Sequence, residues 1–235
     1  MKLNEIIYDI KNIVTKGKIS DDFPISESQI EFWIDNFRAK FLSLYMNKKH
    51  EAPDEAIQTL CITLEPAELN DCSVPSNCSL LKSTCQIPSI LSHNHGDALL
   101  SVTTINGYNT FHRTTFNNFK YIRYRKYANN LNSFFFHNGF LYVINNEVIE
   151  HLMIRAIFTK PSELVTYKNC LSGNSCYDID NDSYPVPEVL VSDIVSAILQ
   201  ARFGIIYASN ADTLNDAKND IQGAQVKQQR TTDEE

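Results

Sequence analysis

The chain has 235 residues, a formal net charge of −7 and a pI near 5.4. Its apolar fraction of 43% and aromatic fraction of 11% mark a globular protein with a real core and exclude a disordered one. With only 7 glycines a glycine-rich nucleotide cradle is disfavoured, and the acidic balance gives no global attraction to a nucleic-acid backbone.

The N-terminal stretch MKLNEIIYDIKNIV is charged throughout and reads as a helix, not as a signal peptide. Leu3, Ile6, Ile7, Ile10, Ile13 and Val14 form a helical stripe over residues 2–16, and Gly17 is its expected stop. Ser26 with Gln29, or Ser28 with Glu31, offers a capping box for a second helix running to about Lys48. The expected buried face of that helix is Ile30, Trp33, Ile34, Phe37, Phe41, Leu44 and Tyr45.

From about Gln58 to Phe158 the composition turns to Thr, Ile, Val, Tyr and Phe. IQTLCITLE, ALLSVTTI, FKYIRYRKY and GFLYVI each read as strands. Asn106-Gly107 and Asn138-Gly139 are hairpin signals. The polar stretch between the first two strands reads as a long loop with short strand pieces. A final helix follows, with Pro187 in its first turn and Val191, Ile194, Val195, Ile198 and Leu199 as its stripe. No apolar run approaches the ~20 residues that span a bilayer, so the expected setting is a cytoplasm, with the six cysteines as free thiols.

The fold class expected is therefore α+β: an N-terminal helical pair and a C-terminal helix forming a helical body, a central β-rich insertion, and an extended acidic tail. The boundaries fall at 1–50, 51–165, 166–210 and 211–235. The tail holds six acids and three bases, and Leu214, Ile221 and Val226 are its only large aliphatics. Such a segment does not pack on its own core, and these three residues are the candidate contacts to a partner.

Reactive constellations are sparse. His93, His95 and Asp97 are suitable ligand types close together, but a metal site needs a further ligand and a supporting shell. Cys72, Cys78 and Cys85, like Cys170 and Cys176, are spaced too widely for common zinc sites. Asp178, Asp180 and Asp182 alternate, yet Ser183 and Val189 stand where a calcium loop needs Gly and Glu, so the stretch reads as a solvated turn. The dense basic segment is Lys120 to Tyr127. Read as a strand, it makes Tyr121, Arg123, Tyr124, Arg125 and Tyr127 the candidate subunit interface, since Tyr and Arg are favoured at hot spots. There is no GxGxxG, GxxxxGK[ST], HExxH or GxSxG pattern. No catalytic residue, cofactor or metal is assigned.

The order of elements carries a resemblance. IEFWIDNFRAKFLSLYM, then NGFLYVINNEVIEHLMIRAIFTKP, then YPVPEVLVSDIVSAILQARFG before an acidic tail resembles head-to-tail connector proteins of short-tailed bacteriophages, most of all the ring proteins of crAss-like phages. The resemblance implies a non-enzymatic virion protein, assembled in the bacterial host cytoplasm. It would form a homo-oligomeric ring of about a dozen copies. Its implied partners are the portal protein and adjacent tail or ring proteins, with genomic DNA passing through unread and no membrane. Two other readings stand beside it: a β-rich module binding glycan or nucleic acid, and a metal-dependent enzyme using His93, His95 and Asp97.

Overall fold

The computed structural model describes residues 1–18, 24–67, 80–122, 132–144, 149–170 and 173–204. Residues Met1–Val195 form one compact unit; of the second, Ser196–Glu235, the described part is the end of the last helix.

Helix α1 spans Leu3–Val14 and buries Leu3, Ile6, Ile7 and Ile10. It ends where Lys16 and Gly17 both turn left-handed, at φ 54° and 79°, and the Gly17 amide donates to the Asn12 carbonyl at 2.9 Å. Helix α2 spans Glu27–Lys49, with the Ser26 hydroxyl accepting from the Gln29 amide at 3.3 Å, one half of the expected capping box. Its buried stripe is not the expected one. Ile30, Ile34, Arg38, Leu42 and Met46, spaced by four, are buried together with Asp35. Trp33, Phe37, Phe41 and Tyr45 are half-buried, while Leu44 is 54% and Phe32 48% exposed. Hydrophobicity alone favours the aromatic face inside, whereas the tertiary partners of Arg38 draw a polar side chain inward instead.

The sheet has seven strands in the order β5-β9-β1-β2-β8-β7-β6. These are β1 Gln58–Pro66, β2 Leu80–Ser83, β5 Leu99–Thr104, β6 His112–Arg113, β7 Ser133–His137, β8 Phe140–Ile144 and β9 His151–Ala156. All neighbours are antiparallel except β6 and β7, so the sheet is mixed. Alternation along β1 sends Leu60, Ile62 and Leu64 to one face, where they join Val102, Phe111, Phe134, Leu141, Val143, Leu152, Ile154 and Phe158 in the main core. The opposite face of β1 carries Thr59, Cys61 and Thr63.

Asn138-Gly139 closes the β7–β8 hairpin as expected: both residues have positive φ, 50° and 79°, and His137 pairs with Phe140 across the turn. At Asn106-Gly107 the chain also turns, with the Gly107 amide donating to the Thr104 carbonyl at 2.8 Å, but no long hairpin follows. Instead Thr110 bridges Thr103 beside β5, and two residues later His112 pairs with Ser133 of β7.

The strand expected over 119–127 is overturned at its start. Phe119–Ile122 form a short helical turn, α3. Phe116, Phe119 and Ile122 recur every third residue, which suits one helical turn and not a strand. The Phe119 ring stacks on Phe135 at 4.7 Å, and Phe135 stacks on Tyr142 at 5.1 Å, making a second apolar cluster.

Beyond β9, a 310 turn over Pro161–Thr166 leads to the loop before helix α4, Glu188–Phe203. Pro187 stands just before this helix, its carbonyl accepting from the Leu190 amide at 2.9 Å. The expected α4 stripe of Val191, Ile194, Val195, Ile198 and Leu199 is buried throughout. The described helix ends at Phe203, before Gly204, φ 65°; residues 205–207, over which the expected apolar pattern continues, lie outside the described residues.

The expectation of free thiols also fails at one pair. Cys61 of β1 is disulfide-bonded to Cys170, while Cys85 and Cys176 are free; Cys72 and Cys78 lie outside the described residues. A sequence separation of 109 hides such a pairing from any spacing argument.

Candidate functional site

Of the predicted interface, Tyr121 is described, and it is 54% exposed on α3. Arg123, Tyr124, Arg125 and Tyr127 lie outside the described residues, as do Leu214, Ile221 and Val226 of the tail. A second exposed apolar surface was missed. On α2, Phe32 and Leu44 are three turns apart on one exposed stripe, with Asn36, Lys40 and Lys48 along it. The half-buried ring stripe Trp33, Phe37, Phe41 and Tyr45 lies beside it. Together they give a mixed helix face, with Phe32 and Leu44 exposed among Asn36, Lys40 and Lys48 and the half-buried rings alongside. The signal was in the sequence: α2 carries more large apolar residues than one buried face can hold.

Behind that face, a buried polar cluster fixes α2 in place. Arg38 donates from Nε to the Pro185 carbonyl and from Nη1 to the Phe158 carbonyl, each at 2.8 Å. Its guanidinium lies 5.6 Å from the centroid of the Tyr184 ring, and Tyr184 donates its hydroxyl to Asp35 Oδ1 at 2.7 Å. Burial pushes the Asp35 carboxyl up to about 6, against the lowering effects of the Tyr184 hydrogen bond and the Arg38 charge. Burial likewise lowers Arg38 and raises Tyr184 well above its ordinary value. Tyr177, packed nearby, is pushed by burial to about 12. Arg38, Asp35, Tyr184 and Tyr177 are buried and hold structure together.

The His93 and His95 loop forms a two-stranded hairpin, β3 Ser92–His93 and β4 Gly96–Asp97, docked on the last turns of α2. The Asn94 amide donates to Asn47 Oδ1 at 2.9 Å, and the Ser43 hydroxyl donates to the Ser92 carbonyl at 3.3 Å. The His95 ring lies 4.8 Å from His50 and 5.9 Å from His93. Asp97 lines one small cleft with His50 and His93, and its carboxylate accepts from Arg113 at 2.6 Å. Among the described residues, no group of three or more His, Cys, Asp or Glu side chains is arranged to hold a metal ion.

Asp178, Asp180 and Asp182 form the expected exposed turn. Asp178 caps it, accepting from the amides of Asp180 and Asn181 and from the Asn181 side chain. The Asn181 side-chain bond, with these amides, holds the Asp178 carboxyl below the usual range. Lys2 and Asn4 bind Asp180, tying the turn to the start of α1.

Among the described residues no helix is long and apolar enough to cross a membrane. Comparison with curated proteins finds no match. The family model described as phage tail ring protein 2, of the crAss type, matches residues 5–221, nearly the whole chain. A scaffold whose exposed features are apolar faces and whose buried polar groups serve packing agrees with that match: the chain belongs to the family of crAss-type phage tail ring proteins.

Proposed function

We propose that this protein is a ring subunit of the portal–tail connector, joining capsid portal to tail and extending the conduit through which the genome passes. The observation that carries the reading is the family match over residues 5–221, which makes the chain a structural tail protein. Two features support the finer assignment. The net charge of −7 suits a channel wall to which DNA does not adhere. Phe32 and Leu44 of α2, and Tyr121 at the head of the basic segment, are exposed large apolar side chains that a neighbour could cover. In this reading the protein has no catalytic role. Copies join through Tyr121, Arg123, Tyr124, Arg125 and Tyr127. Leu214, Ile221 and Val226 contact the portal or a neighbouring ring.

A reconstruction of the native virion tests this. A closed ring of this chain beneath the portal is the expected result. Its absence from the portal–tail region, or its presence as an unringed monomer on the particle surface, overturns the reading.

A further inference from the structure

Three of the four described cysteines line one cleft of about 50 Å³ on the face of β1 away from the main core. Cys61 and Cys170 form its disulfide, and Cys176 is a half-buried free thiol beside them, with Met153 and Ile105 as apolar walls. Cys170 and Cys176 belong to a single folded loop. Lys168 bridges Ser175, the Asn169 amide donates to the Asn174 carbonyl at 2.6 Å, and the Cys176 amide donates to the Tyr167 carbonyl at 2.7 Å. Those two hydrogen bonds make up the Lys168–Ser175 bridge and hold the loop on its own, and the disulfide adds a tether from it to β1. Cys85, the other described free thiol, is exposed and does not line the cleft.

We propose that Cys176 is the internal exchange partner of the Cys61–Cys170 disulfide, so that the bond is a transferable latch between the loop and the sheet. The thiolate of Cys176 attacks Sγ of Cys170. The Cys170–Cys176 bond forms as the Cys61–Cys170 bond breaks, and the electron pair leaves on Sγ of Cys61. That sulfur takes up the proton that Cys176 gave up. No oxidant or reductant is consumed. The short separation of Cys170 and Cys176 keeps the closure entropy of the new ring small. The product leaves the loop closed on itself and β1 untethered.

The test uses the full chain, purified without reductant and held at about pH 8.5, where an ordinary thiol is substantially ionised. Free thiols are then trapped by alkylation, and the disulfides are mapped by mass spectrometry after non-reducing digestion. The wild type is expected to yield both the Cys61–Cys170 and the Cys170–Cys176 bonds, the latter with Cys61 alkylated. Cys176→Ser should lose the exchange completely, and Cys85→Ser should exchange as the wild type does. The proposal is overturned if the wild type retains only Cys61–Cys170 or holds no disulfide at all. It is equally overturned if Cys176→Ser exchanges at the wild-type rate.

Discussion

Arg38 of α2 donates to the carbonyl of Phe158, 120 positions away, from within a side chain that is fully buried. Together with its bond to Pro185, this clamps the long helix to the chain leaving β9 and to the loop before α4. Arg38→Ala strands two buried carbonyls and empties a large side-chain volume. We expect it to destabilise the protein by about 3–5 kcal/mol, read as a shift in the urea midpoint. Arg38→Lys should fall in between, because one ammonium cannot reproduce the two directions of the guanidinium fork.

Asp35 gives the fold a pH dependence. Its folded value of about 6 lies above the ordinary carboxylate value near 3.9. Below about pH 4 both folded and unfolded forms are protonated, and the contribution to stability is fully present. It is lost as pH rises through about 6, by roughly 3 kcal/mol at neutrality. Asp35→Asn retains an oxygen to accept from Tyr184 and should remove this slope. Denaturation curves for both proteins at acid and neutral pH check it; parallel behaviour of the two would refute the assignment.

Gly139 has φ 79°, and a Cβ added there meets only Gln86 side-chain atoms at 3.8 Å or more. Space is therefore not the obstacle, and backbone strain decides. Gly139→Ala should cost about 1–2 kcal/mol, the ordinary penalty of the left-handed region. A neutral melting temperature would show that the turn relaxes to another type.

Removing the disulfide should matter more. Its sequence separation of 109 gives a stabilisation of about 4–5 kcal/mol in the chain-entropy view. Replacing Cys61 and Cys170 together by Ser should lower the melting temperature accordingly, and a reductant should then lower it no further. A wild type insensitive to reductant would contradict this.

The tail and the α2 face are expected to matter to assembly and not to folding. Deleting residues 211–235, or introducing Phe32→Glu with Leu44→Glu, should leave the melting temperature of the isolated chain nearly unchanged. Surface changes of this kind usually shift stability within about 0.5 kcal/mol. Incorporation into virions should fall sharply, measured by quantitative mass spectrometry of purified particles. A large drop in melting temperature would mean these residues serve the core.

Elements with a single strong period were legible in the sequence. The stripe Leu3, Ile6, Ile7, Ile10 gave α1, the Asn138-Gly139 dipeptide gave the hairpin, and Val191 to Leu199 gave the face of α4. What failed depended on distant partners. Arg38 is buried because carbonyls from Phe158 and Pro185 converge on it, and nothing near it in the chain announces them. The α3 turn was partly legible: Phe116, Phe119 and Ile122 carry a three-residue spacing that the alternation of Tyr and Arg masked. The family resemblance read from element order is borne out by the match over residues 5–221.

The segment from Thr110 to Arg113 reaches from β5, at one end of the strand order, to β7, beside the other. Thr110 bridges Thr103, and the Phe111 amide donates to the Val102 carbonyl at 2.9 Å, beside β5; His112 and Arg113 then pair with β7. This short segment thereby links β5 to β7, and Val102, Phe111 and Phe134 pack together in the main core beside it. Among the described residues, part of the outer edge of β5 is thus already occupied, and that part is closed to an added strand. An edge covered in this way is a poorer template for strand-to-strand polymerisation than a bare one, so a short connecting segment also guards against aggregation.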